Sequence, residues 1–149
     1  MKTLEISFEQ IYEFLENVDC SFPVPISQKQ NLYELAKKFE EKATICAEIR
    51  DKKICAMVAG YTDHVLNNLA YISVVATQEE YRGQGIANRL VKNFIKVAEN
   101  KHLSGVHLYA ATFNKIAINM YKKIGFIIYS IPDESRPEDI HLIYYINRK

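Results

Sequence analysis

The sequence predicts an α+β domain in which a mixed, mostly antiparallel sheet of about six or seven strands carries helices on both faces. Three observations carry that expectation. Short runs rich in Val and Ile, such as Ala70-Tyr-Ile-Ser-Val-Val-Ala76, alternate with stretches whose apolar residues return every three or four positions. Two of the strand-like runs, 44–50 and 54–61, are separated only by Asp51-Lys52-Lys53, which reads as a hairpin turn. Finally, 149 residues with 48% apolar and 25% charged side chains suit one globular domain spanning residues 1–149.

The elements follow in order. Residues 2–6 read as a short first strand. Ser7 with Gln10 has capping-box form, Ile6 and Ile11 are spaced as a hydrophobic staple, and Phe8, Ile11, Leu15 and Val18 give the first helix one apolar face. Pro23 and Pro25 make 19–26 a shaped loop rather than a helix. Ser27 is the expected cap of a second helix over 27–42, with Leu32, Leu35, Ala36 and Phe39 inward. After the hairpin comes a polar loop, 62–68, and then the run that ends near Thr77. A helix follows with Ile86, Leu90, Val91, Phe94, Val97 and Ala98 on one face. A strand over 106–111, a helix over 114–124, a strand over 126–131 and a last strand over 141–147 complete the order β-αα-βββ-α-β-α-ββ.

Composition excludes several classes. A net charge of +1 gives no general attraction to nucleic acid or to an anionic membrane. No apolar run approaches the length of a membrane span and no charged-then-apolar leader opens the sequence; the odd count of three cysteines makes a reducing cytoplasm the expectation. Cys20, Cys46 and Cys55 form neither a disulfide framework nor a metal-ligand spacing, and no His pair does, so no metal is expected.

The most informative stretch joins the run at 70–77 to the helix after it: Arg82-Gly83-Gln84-Gly85-Ile86-Ala87. A glycine-containing turn that opens a helix gathers unpaired backbone N–H groups at the positive end of the helix dipole, a place to hold phosphates. No Gly-Lys-Ser/Thr follows, and Asn88 stands where a dinucleotide fingerprint needs Gly or Ala, so neither of those motifs is present. Arg82-x-x-Gly85-x-Ala87 resembles the acetyl-CoA pyrophosphate loop of the GNAT N-acetyltransferase superfamily, Gln/Arg-x-x-Gly-x-Gly/Ala. A second stretch strengthens the resemblance: Asn114, Ala117, Tyr121 and Gly125-Phe126 stand at the family's spacing. Close likeness covers residues 69–127, whereas the first sixty or so residues match only in their pattern of elements.

That resemblance implies a GNAT-like fold with splayed central strands, acetyl-CoA as co-substrate, and direct acetyl transfer to a primary amine in a ternary complex. It implies pantetheine contacts at the strand end, Val75, Ala76 and Thr77, and pyrophosphate contacts at Arg82, Gly83, Gln84, Gly85, Ile86 and Ala87. Asn114 and Ala117 would meet the pantetheine arm, although Asn114 also reads as an ordinary helix cap. The Tyr121 hydroxyl would be the proton donor to the departing thiolate. Gly125 reads as a helix C-cap. No cysteine lies in either motif, which disfavours an acyl-enzyme route.

The acceptor and the general base stay open. Asp63, His64, Glu79, Glu80 or water could take the amine proton; His107 reads as a packed, hydrogen-bonded strand residue, and His102 and His141 as surface or strand-end residues. The acceptor is an amino sugar, a small amine or amino acid, or a peptide N-terminus. The stretch Phe22-Pro-Val24-Pro-Ile26-Ser27 is similar to one in GNAT members that acetylate nucleotide-linked amino sugars. A homodimer and use of another acyl-CoA are also left open, and the rival reading is a non-catalytic acetyl-CoA-binding sensor or interaction module.

Overall fold

Ser7 opens the first helix as its spacing requires. Its hydroxyl accepts the Gln10 N–H at 3.2 Å, and the Gln10 side chain accepts the Ser7 N–H at 2.9 Å. The computed structural model describes residues 6–22, 24–129 and 133–146. The strand expected at 2–6 therefore lies outside the described residues except for Ile6. Helix α1 (Phe8–Val18) buries Ile11, Phe14, Leu15 and Val18, and Phe8 instead stacks half-exposed on Tyr12.

Helix α2 runs Leu32–Lys42, later than expected, because Ser27 is not its cap. Both the Ser27 N–H and its hydroxyl are committed to the Asp19 carboxylate, and Ile26–Gln28 is a single 3-10 turn. Asn31 does the capping, accepting the Glu34 N–H at 2.9 Å.

Strands β1 (Thr44–Arg50) and β2 (Lys53–Tyr61) form the expected hairpin. Its turn residues Asp51 and Lys52 both have positive φ, the geometry whose twist matches paired strands. Strand β3 (Leu69–Thr77), helix α3 (Ile86–Asn100), β4 (Gly105–Ala111), helix α4 (Lys115–Ile124), β5 (Ile127–Ile128) and β6 (Asp139–Tyr145) follow. The last strand starts two residues before the expected 141, and of the strand expected over 126–131 only β5 is formed among the described residues. On α3, Ile95 is buried and Val97 only half-buried, so the inward stripe leans toward the row of Val91, Ile95 and Ala98.

The six described strands form one sheet in the order β1-β2-β3-β4-β6-β5, antiparallel except for β3 with β4. Strand β2 divides its side chains between two cores. Ile54, Met57 and Ala59 pack under α1 and α2 with Phe14, Leu15 and Phe39. Ala56 and Val58 pack on the opposite face with Phe94 and Leu90 of α3 and with Leu108 and Phe126. Helices thus cover both faces, as α+β packing requires.

Candidate active site

Strands β3 and β4 pair only at Leu69 with Gly105, Ala70 with Val106 and Tyr71 with His107. Beyond Tyr71 the two strands follow different neighbours. Strand β4 stays paired with β6 from Gly105 to Ala111. Strand β3 stays paired with β2 through a bulge, in which Ala59 faces Val74 and Gly60 faces Ile72, leaving Ser73 as the extra residue. Gly60 permits this approach, since a Cβ there would run into the Tyr71 carbonyl oxygen and come within 2.8 Å of Phe94 Cζ. The divergence opens a cleft of about 680 Å³ in the sheet.

The open edge of β3 carries specific backbone groups. The Gln78 N–H donates to Cys55 O at 2.9 Å across the β2 ladder. Alternation along an antiparallel pair then turns Ala76 toward β2 and turns the N–H and C=O groups of Val75 and Thr77 to the cleft side. Thr77 O is used there: the Arg82 Nε donates to it at 3.0 Å. The other end of the same guanidinium donates to Ser21 Oγ at 2.8 Å.

After Arg82 the chain turns on Gly83 and Gly85, with φ of 80° and 76°, values that side-chain-bearing residues rarely adopt. A Cβ at either position would meet nothing within 4 Å, so the space in front of the loop is open. Helix α3 begins at once with no side-chain cap. The backbone N–H groups from Gly83 to Asn88 donate to no acceptor among the described residues. A run of unpaired donors at the positive end of a fifteen-residue helix has the form of an anion site.

Helix α4 supplies the far wall. Asn114 caps it, its side chain accepting the Ala117 N–H at 3.3 Å, and Asn114, Ala117 and Tyr121 all line the cleft. The Tyr121 ring is buried edge-on against Phe126, with centroids 5.6 Å apart. Burial pushes the phenol above its ordinary pKa, so it stays protonated at neutral pH. Its hydroxyl bonds to no described residue, yet no fully buried side-chain polar atom among the described residues lacks a partner. The oxygen therefore reaches the cleft.

Residues 10–126 match the family model described as Acetyltransferase (GNAT) family. The chain belongs to the GNAT acetyltransferase family. It is 38% identical over 55 residues to the thialysine N-ε-acetyltransferase of Mus musculus, covering 37% of this chain and 32% of that protein. It is 36% identical over 59 residues to N-alpha-acetyltransferase 30 of Schizosaccharomyces pombe, covering 40% of this chain and 39% of that protein. The chain thus spans well under half the length of either relative. Among solved structures it resembles the PaiA N-acetyltransferase of Thermoplasma acidophilum in complex with coenzyme A, with a TM-score of 0.74 at 14% identity over 96% of this chain and 97% of that one. At that identity the likeness is one of fold.

Within this GNAT fold the expected site residues fall into three sets. Val75, Asn114, Ala117 and Tyr121 line the cleft, and Thr77 borders it through its backbone. Gly83, Gln84, Gly85, Ile86 and Ala87 supply backbone donors at the helix start; the Ile86 side chain is buried in the core. Ala76 points its backbone at β2 and Arg82 points its guanidinium at protein oxygens.

The four side chains considered as bases lie elsewhere. Asp63 is exposed and held below its usual pKa by Lys101, 2.9 Å away. His64, Glu79 and Glu80 are exposed and do not line the cleft. What the motifs did not reveal is a polar aromatic cluster on the strand faces turned away from α3. Tyr71 and Tyr109 line the cleft, the Tyr109 hydroxyl donates to Asp133 at 3.0 Å, and Arg136 lies over the Tyr109 ring at 4.0 Å. His107 Nδ1 and His141 Nε2 share a hydrogen bond of 2.9 Å, so His141 is a half-buried partner rather than a surface residue. The signal was present: Tyr71, His107 and Tyr109 occupy every second position opposite the apolar residues of their strands.

Proposed function

We propose that the chain is an acetyl-CoA-dependent N-acetyltransferase that passes the acetyl group directly to a primary amine. The observation that carries this is a succession along one stretch of chain: the open edge of β3 at Val75 lines the same cleft as Tyr121, and β3 leads through Arg82 into the turn whose N–H groups from Gly83 to Asn88 are unpaired among the described residues. The N–H run suits a pyrophosphate. The edge of β3 suits an amide-containing arm, which would pair with it as a short strand does. Val75 N–H is the donor available to a thioester oxygen as charge develops on it.

Tyr121 then serves the leaving group. With its pKa raised, it is a hydrogen-bond donor to the departing sulfur, and because a thiol near 8.5 is the stronger acid the proton stays on the phenol while charge develops on the sulfur. The cysteines support direct transfer. Cys46 and Cys55 are buried, burial pushes Cys46 up to about 11, and neither they nor Cys20 line the cleft. The amine must shed a proton first, because an alkylammonium with a pKa near 10.4 is almost wholly charged at pH 7. Asp63, His64, Glu79 and Glu80 do not line the cleft, and none of them is assigned that step.

The relatives are named for different acceptors, the ε-amine of thialysine in one and an α-amine in the other, so the reading stops at a primary amine. The test mixes the protein and acetyl-CoA with panels of lysine analogues, amino sugars and short peptides and follows CoA thiol. Thiol that appears only with an amine supports the reading. Tight acetyl-CoA binding without amine-dependent thiol across all panels would overturn it in favour of a binding module.

A further inference from the structure

The wall of the cleft opposite α4 is built by the connection between α1 and α2, and the way it is tied down has a direct link to the phosphate loop. Phe22, Val24 and Ile26 line the cleft from this connection. The connection is cinched at its base, where the Asp19 carboxylate takes both the N–H and the hydroxyl of Ser27. Between these anchors, among the described residues, its one side-chain bond to the sheet side is at Ser21 Oγ, which accepts from Arg82 Nη2 at 2.8 Å. The same guanidinium donates through Nε to Thr77 O at 3.0 Å, where β3 ends. Two acceptors at two edges of one planar fork fix its direction, which a lysine ammonium cannot do.

We propose that Ser21 is a positioning residue through which Arg82 couples the phosphate loop to the acceptor wall. The proposal rests on the functional reading above. Arg82 immediately precedes the turn at Gly83 and Gly85, so an anion seated on the N–H groups that follow holds the Arg82 backbone still. Its guanidinium then holds Ser21, and Ser21 holds Phe22 against the cleft. The side chain most typical of the loop motif thus acts on the acceptor side rather than on phosphate. By linkage, whatever orders the loop slows the opening of the wall, and the reverse holds equally.

The test needs no acceptor. Hydrogen exchange of peptides covering 19–30 is measured with and without coenzyme A in the wild type, in Ser21→Ala and in Ser21→Thr, with coenzyme A binding followed by calorimetry on the same samples. Ser21 is exposed, so both variants should keep the fold, and Thr keeps the hydroxyl. In the wild type, coenzyme A should slow exchange in this segment severalfold. In Ser21→Ala the segment should exchange about tenfold faster and lose the response to coenzyme A, and Ser21→Thr should restore it. If coenzyme A binds and Ser21→Ala retains the full slowing, the segment is protected by direct contact and the coupling is wrong. If the wild type does not bind coenzyme A at all, it is the functional reading that fails.

Discussion

Tyr121 is a side chain whose ring and oxygen do different work. The ring packs on Phe126 in the core below α4, and the oxygen opens on the cleft without a partner among the described residues. Tyr121→Phe keeps the packing and deletes only the donor, so thermal unfolding should change little. A donor to the departing thiolate acts mainly in the transition state. Then kcat and kcat/KM should fall together by roughly tenfold to a thousandfold, with coenzyme A affinity nearly intact. Full turnover in this variant would leave water as the donor. Gly85 offers a complementary pair of variants, because its φ of 76° is tolerated best by Asn and Asp after Gly. Gly85→Asn and Gly85→Asp have nearly the same shape, and only the second sets a carboxylate before the N–H run. Calorimetry should find coenzyme A binding at least tenfold weaker in the Asp variant than in the Asn variant. Equal affinities would remove the phosphate role of the loop. The local geometry at both positions was legible in the sequence because glycine conformation and helix-face spacing are local properties. The Arg82 partner was not, since Ser21 reaches it only through the fold.

At the level of elements, the strands carry information that the motifs do not. Strand β4 shows Val106, Leu108 and Ala110 to α3 and its neighbours, and His107 and Tyr109 to the other side. His107 and His141 tie β4 to β6 there, packed among Tyr71, Tyr109 and Tyr129, with Asp133 and Arg136 of the preceding loop facing them. Burial lowers His107, and the neighbouring His141 lowers it further. Burial also lowers His141; Asp133 opposes this and Arg136 reinforces it. Both rings therefore bind protons less readily in the folded chain than in the unfolded one. The unfolded state takes up more protons below a pH of about 6.5, so stability must fall as pH drops through that region and recover above it. The carboxylates with lowered pKa values, such as Glu48 and Asp133, lose their contribution only at lower pH, below about 4.5. Urea unfolding between pH 7 and 5 should thus report the histidine pair. In His107→Phe, which fits the aromatic surroundings, the loss over that range should shrink clearly; an unchanged slope would place its source outside the pair. Periodicity gave the existence and order of β4 and β6, but a residue pair across strands distant in sequence needs the register, which no local pattern supplies.

In the molecule as a whole, the cleft weakens the sheet where it matters for the ligand. The β1-β2-β3 half and the β4-β6-β5 half meet through a ladder confined to the stretch from Leu69 to Tyr71, and α3 spans the seam from above. The splay was expected from family likeness; its cause, β3 bulging with β2 while β4 follows β6, is a matter of pairing and could not be read from composition. A molecule seated along the open edge of β3, with phosphates at the start of α3 and its acyl end near Tyr121, touches both halves. Ligand that binds only the folded chain stabilises it by about 2.7 kcal/mol at a hundred times its dissociation constant. For a chain of this size that corresponds to a rise of roughly 5–10 °C in Tm. Thermal unfolding with acetyl-CoA should show that rise in the wild type and in Tyr121→Phe, and a much smaller one in Gly85→Asp at the same concentration. A rise of equal size in all three would mean that the ligand sits away from the loop. No rise in the wild type would mean that the gap between β3 and β4 is not a coenzyme site, and the proposed transfer reaction would go with it.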